Sequence, residues 1–119
     1  MQHSPEFLKL VDDAKTHIKE FSVAETQQRM KEGANLIDVR EDNEWNAGHA
    51  KDAIHLGRGI IERDIVGKFP DKNIELILYC GGGFRSALSA DNLQKMGYNK
   101  VFSMEGGWRA WKESGAPTE

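Results

Sequence analysis

The chain has one cysteine, Cys80. That scarcity excludes an intramolecular disulfide, so the fold must stand on its own core. A lone thiol also suits a reducing compartment. No apolar run approaches the ~20 residues that cross a bilayer. Lys and Arg are scattered, without the dense run that grips duplex nucleic acid or an anionic membrane. The net charge is −3 with 29% charged residues, which leaves no disordered acidic tail to account for. Repeats, low-complexity tracts and long linkers are missing. Met1-Gln2-His3-Ser4-Pro5 does not follow the charged-then-apolar plan of a secretory signal. The expectation is a cytoplasmic protein with neither a nucleic-acid nor a membrane partner. His3, His17, His49 and His55 lack metal-ligand spacing, and a single cysteine cannot complete a thiolate-rich zinc set, so no metal is expected.

What is present fits one domain, since 119 residues can bury a substantial core. Ser4-Pro5-Glu6 reads as an N-cap, a proline at the first helical position and an acid in the first turn. Leu8, Val11, Ala14 and Ile18 continue a helical period to about Lys19. Residues 1–20 are therefore read as an N-terminal helical extension, and 21–119 as the domain proper. Short apolar runs then alternate with helical patterns: a brief strand at Phe21–Val23, a helix over Ala24–Lys31, and a buried strand at Asn35–Val39. Asp42–Ala47 reads as a short helix, Ala53–Leu56 as a strand, and Ile60, Ile61 and Ile65 as one face of another helix. Ile74–Tyr79 is nearly continuous in apolar character, as a parallel strand covered on both faces should be. A helix over Arg85–Met96, a strand at Val101–Phe102 and a helix over Gly107–Glu113 complete the chain. The alternation implies an α/β domain with right-handed crossovers.

The chemistry concentrates in Tyr79-Cys80-Gly81-Gly82-Gly83-Phe84-Arg85-Ser86. Cys80 stands where the apolar strand ends and a helix is about to begin, the usual ligand end of an open α/β sheet. Three glycines tolerate positive φ, so the loop can curl its N–H groups toward one point, and the helix start adds unpaired amides. Convergent amides form an anion nest. The nearest anion is the thiolate of Cys80 itself, which such surroundings favour over the thiol. A lone cysteine is ordinarily a small buried hydrophobe, but its place before this loop points to a nucleophile.

These residues resemble the single-domain rhodanese family. The marks are Leu36-Ile37-Asp38-Val39-Arg40-Glu41, Glu44 with Gly48-His49, Ala53-Ile54-His55, the loop Cys80…Gly83…Arg85-Ser86, and Gly106-Gly107-Trp108 with Trp111. The resemblance runs from Phe21 to Gly115. It implies a rhodanese-like α/β fold, a five-stranded parallel sheet with helices on both faces, here with an extra N-terminal helix. It implies sulfane-sulfur transfer through a persulfide on Cys80, with no other cofactor. Cys80 and Arg85 have four residues between them, as in the sulfurtransferases. Related phosphatases and arsenate reductases have five, and the shorter loop argues against those activities.

Cys80 is thus the expected catalytic residue, with Gly81, Gly82, Gly83, Phe84, Arg85 and Ser86 as the persulfide-binding loop. Many thiosulfate-using relatives carry Lys or Arg inside that loop. This chain does not, which predicts a poor reaction with thiosulfate. Arg58 and Arg63 either supply positive charge at the substrate rim or are simply solvated. Arg85 either contacts a bound anion or pins the loop through carbonyls or a carboxylate. Asp38 and Arg40 are expected to support the site by pairing with neighbours such as Glu44 or His49, with Asp38 the nearer contributor. Trp45, Trp108 and Trp111 read as core or rim aromatics. The expected partners are a small sulfur donor (thiosulfate, polysulfide or a low-molecular-weight persulfide) and a cyanide or thiol acceptor. A protein sulfur acceptor is the relay alternative, in which the domain passes sulfur on without turning over free donors.

Overall fold

The computed structural model describes residues 3–119 and reads as eleven elements in chain order: α1 (Pro5–Lys15), β1 (Lys19–Phe21), α2 (Val23–Lys31), β2 (Asn35–Asp38), α3 (Asp42–Ala47), β3 (Ile54–His55), α4 (Ile61–Lys68), β4 (Leu76–Tyr79), α5 (Phe84–Lys95), β5 (Val101–Met104) and α6 (Gly107–Glu113). The five strands form one parallel sheet in the order β1-β5-β4-β2-β3, with β4 at its centre. All four residues of β4 are buried, as its apolar run predicts.

Period-two alternation sorts the core onto two faces. Ile37, Val39, Leu76, Leu78 and Cys80 pack with Ile61 and Ile65 of α4 and with Ala90 and Leu93 of α5. Leu36, Ile77 and Tyr79 pack on the other face with Phe21, Met104 and Trp111. Helix α1 lies against α5, while α2 and α6 meet on the opposite side. Helices therefore cover both faces, and Cys80 belongs to the α4–α5 side. No helix among the described residues is long and apolar enough to cross a membrane.

The boundaries that differ from the sequence reading have local causes. Helix α1 stops at Lys15, not near Lys19, because the Thr16 hydroxyl turns back to donate to the Asp13 carbonyl at 2.6 Å. Ile18 keeps its apolar role by packing on the core from outside the helix. Strand β1 is Lys19–Phe21, earlier than the expected Phe21–Val23. Ser22 instead caps α2: its side chain accepts from the Glu25 amide at 3.1 Å, and the Glu25 carboxylate accepts from the Ser22 amide at 3.1 Å. This reciprocal capping box satisfies two helix donors and outweighs the apolar pattern of a short segment. Of the N-terminal segment read as an extension, residues 1 and 2 lie outside the described residues, α1 packs on α5, and Lys19 and Glu20 enter the sheet.

One crossing point positions the loop after β4. Gly107, at the start of α6, has φ +55°, and a Cβ there would collide with the Cys80 carbonyl oxygen and lie 2.9 Å from the Gly81 carbonyl carbon. Because α6 approaches so closely, the Trp108 amide donates to the Cys80 carbonyl at 2.7 Å and the Arg109 amide to the Gly81 carbonyl at 3.3 Å. Gly115, just past α6, also has positive φ (+76°), but a Cβ there would meet nothing within 4 Å. Comparing alanine at the two sites separates backbone strain from collision. Gly115→Ala should cost about 1 kcal/mol for its left-handed backbone. Gly107→Ala should cost a further ~1–3 kcal/mol of overpacking, read as a lower urea midpoint at unchanged denaturant slope.

Candidate functional site

The loop begins at Cys80, whose residue is only 1% exposed. The Gly83 amide donates to Cys80 Sγ at 3.1 Å, and Ser86 Oγ lies 3.5 Å from the same sulfur. Gly83 is the N-cap of α5 with φ +101°, a conformation that side-chain-bearing residues rarely adopt. Ser86 is itself held by Ser103 of β5, hydroxyl to hydroxyl at 2.8 Å, both fully buried. The sulfur therefore faces a backbone N–H and a fixed hydroxyl at the start of a helix. That arrangement stabilises negative charge on sulfur.

Arg85 does not reach across the loop as a free cation. Its guanidinium makes a two-pronged contact with Glu44 of α3, Nη1 to Oε1 at 2.8 Å and Nη2 to Oε2 at 3.1 Å. These bonds hold the guanidinium above its ordinary range and the Glu44 carboxyl below its own; the proximity of Cys80 adds to the first shift. Of the two roles open from sequence, pinning by a carboxylate is the one this geometry displays. Glu44 also accepts from the Glu41 amide at 3.1 Å, so one carboxylate ties the start of α3 to the start of α5.

The other predicted residues divide. Arg58 lines a cavity of about 540 Å³ over Cys80, together with His3, Phe7, Glu44, Phe84 and Arg85. Arg63 lies elsewhere, exposed on α4 and paired with Asp64 at 2.7 Å. Asp38 and Arg40 do not line the cavity and do not pair with Glu44 or His49 as expected. They pair with each other: Arg40 Nη2 donates to Asp38 Oδ2 at 2.8 Å, and Nε lies 3.1 Å from both carboxylate oxygens. Arg40 Nη2 also donates to the Gly48 carbonyl at 2.7 Å, and its guanidinium carbon lies 4.8 Å from the Trp108 ring centre. Strand spacing does not decide this pairing, because β2 ends at Asp38 and Arg40 lies past it, where the chain folds its guanidinium back onto Asp38. Trp111 is buried core, while Trp45 stacks on His49 and His55.

Three contributors escape sequence reasoning. Ser103 carries no signal beyond its place in a strand. His3 and Phe7 stand one helical turn apart near the start of α1, the only clue that they share a face. Their rings meet Phe84: His3 at 4.7 Å edge-on and Phe7 at 6.4 Å. Among the described residues, no group of His, Cys, Asp and Glu is arranged to hold a metal ion.

Known proteins resemble this chain in sequence and in overall fold. A family model described as Rhodanese-like domain matches residues 22–114. The thiosulfate sulfurtransferase GlpE of Actinobacillus pleuropneumoniae is 33% identical over 91 residues, 74% of this chain and 80% of that protein. The polysulfide-sulfur transferase homodimer of Wolinella succinogenes has a similar structure, with a TM-score of 0.83 at 27% identity over 96% of this chain and 87% of that one. A protein of unknown function from Rhodopseudomonas palustris, described as a possible tyrosine phosphatase, matches with a TM-score of 0.85 at 27% identity, over 100% of this chain and 98% of that one.

The two ion pairs make separable predictions. Asp38→Asn leaves Arg40, 3% exposed, without its counter-charge, and should cost about 3–5 kcal/mol in urea unfolding. The Glu44–Arg85 pair is about a third exposed, so its loss in Glu44→Gln should cost no more than about 1 kcal/mol. Because Glu44 is lowered in the folded state, that contribution is fully present above the unfolded carboxyl value of ~4.3. It disappears as pH falls through the lower folded value. The gap in urea midpoint between wild type and Glu44→Gln should therefore hold between about pH 7 and pH 5 and shrink toward pH 3.

Proposed function

The chain belongs to the rhodanese-like domain family, and on that footing we propose that it is a sulfurtransferase carrying sulfane sulfur as a persulfide on Cys80. The observation that carries the reading is the Cys80 sulfur at the floor of a cavity, with the Gly83 amide donating to it at 3.1 Å. In the first half-reaction the Cys80 thiolate attacks the sulfane sulfur of thiosulfate, a polysulfide or a low-molecular-weight persulfide. A new S–S bond forms, the donor's S–S bond breaks, and sulfite or a thiolate departs with the bonding pair. Donors fixed beforehand at the reacting sulfur stabilise the charge without reorganising. In the second half-reaction cyanide or an external thiol attacks the outer sulfur and restores the Cys80 thiolate. An external acceptor is required because no second cysteine exists to resolve the persulfide from within.

Phosphoryl chemistry has less support. A phosphatase would need a guanidinium free to bind phosphate oxygens, whereas Arg85 is bonded to Glu44 and the loop holds four residues between Cys80 and Arg85. The polysulfide-sulfur transferase and the thiosulfate sulfurtransferase among the similar proteins support sulfur chemistry on this fold. No pairing of donor and acceptor follows from them.

Intact mass spectrometry provides the test. Brief incubation with thiosulfate or with polysulfide should add the mass of one sulfur atom, localised by peptide mapping to Cys80 and removed by cyanide. Cys80→Ser should abolish both the adduct and turnover. Turnover retained in that variant would overturn the mechanism.

A further inference from the structure

The cavity over Cys80 has a composition that the transfer chemistry alone does not require. Its volume of about 540 Å³ lies within the ~300–1,000 Å³ range of sites that enclose organic molecules, and is far larger than a small tetrahedral dianion fills. One wall is aromatic and drawn from two separate parts of the chain. His3 and Phe7 come from the N-terminal segment and α1, and Phe84 from the loop. The three rings contact one another, His3 to Phe7 at 5.1 Å and each to Phe84. Lys15, two turns further along α1, places its ammonium 5.3 Å from the Phe84 ring centre and helps hold that ring against the helix.

Charge is distributed just as unevenly. Arg85 is neutralised by Glu44, so among the described lining residues Arg58 is the one guanidinium without a carboxylate partner. A dianion entering here would meet the Cys80 thiolate with only one uncompensated arginine to offset its charge. A molecule with an apolar or aromatic body and a single carboxylate would instead place its ring on the His3–Phe7–Phe84 wall and its carboxylate on Arg58.

We propose that the aromatic wall contributed by α1, together with Arg58, makes this a site for organic hydropersulfides bearing an apolar or aromatic body and a carboxylate, in preference to thiosulfate. The proposal rests on persulfide chemistry at Cys80 and specifies its substrate class. The Cys80 thiolate attacks the outer sulfur of R–S–SH. The Cys80–sulfur bond forms, the donor's S–S bond breaks, and R–S⁻ leaves with the bonding pair. The transferred sulfur keeps its hydrogen, so Cys80 becomes a hydropersulfide with no net oxidation or reduction.

The test follows single-turnover formation of the Cys80 persulfide by intact mass in the full chain. Three donors serve as probes: 4-carboxybenzyl hydropersulfide, benzyl hydropersulfide and thiosulfate. Wild type should react faster with the carboxybenzyl donor than with either of the others. Phe7→Ala should lower the ratio of the carboxybenzyl rate to the thiosulfate rate by about tenfold, the effect expected from losing part of one aromatic contact surface. Phe7→Leu, which keeps an apolar side chain on α1, should lie between. Arg58→Gln should bring the carboxybenzyl-to-benzyl ratio close to one. Rate ratios unmoved by both substitutions, or thiosulfate as the fastest donor of wild type, would overturn the substrate assignment while leaving persulfide transfer intact. Failure of every donor to modify Cys80 would instead overturn the transfer chemistry on which the assignment stands.

Discussion

The site depends on a backbone contact between the start of α6 and the two peptides that follow β4. The amides of Trp108 and Arg109 draw the carbonyls of Cys80 and Gly81 toward α6. A trans peptide is planar and carries its C=O and N–H on opposite edges. Turning those carbonyls toward α6 therefore turns the Gly81 and Gly82 N–H groups the other way, and the Gly83 amide completes the curve by meeting the sulfur. The approach is possible only because residue 107 has no side chain. A glycine thus governs the reactive cysteine without touching its sulfur, by fixing which edge of each loop peptide faces inward.

Charge in this molecule stabilises the scaffold around the sulfur more than it meets the sulfur directly. Arg40 is committed to Asp38 and the Gly48 carbonyl, and Arg85 to Glu44. An amide and a hydroxyl face Sγ, dipoles held in place by β5 and by the start of α5, and the Arg85 guanidinium lies near the same sulfur. Dipoles fixed in a buried loop are screened by salt far less than exposed charges are. The loop can therefore hold a sulfur anion with Arg85 as its one cation, a charge that Arg85 shares with Glu44.

Much of this is legible in the sequence. The apolar run into Tyr79, the cysteine at its end, the glycines and the following helix all obey local rules, and the sheet carries Cys80 where those rules put it. The resemblance to rhodaneses extends that reading to a five-stranded parallel sheet, which the structure shares. Other features depend on contacts remote in sequence. Arg85 finds Glu44 across 41 residues and Ser86 finds Ser103 across 17, and no local pattern distinguishes those partners from other carboxylates and hydroxyls. Arg58 and Arg63 look alike on paper, but the turn into α4 directs one toward the cavity and leaves the other beside Asp64. The end of α1 and the start of β1 are misplaced by pattern alone because Ile18 and Val23 fit an apolar rhythm, whereas Thr16 and Ser22 set the breaks through hydrogen bonds.

The strand order has a bearing on how the molecule is assembled. Among the described residues, strand β1 pairs only with β5, joining Lys19 to Phe102 and Phe21 to Met104. On a ribosome, the first strand therefore has no edge to join until β5 has been made. Contacts of such wide separation raise contact order and slow folding. Helix α1 likewise waits for α5, its packing partner. The segment that brings His3 and Phe7 to the cavity thus depends on contacts remote in sequence. The nucleophile's loop is built from consecutive residues, but its aromatic wall forms only where α1 meets the start of α5.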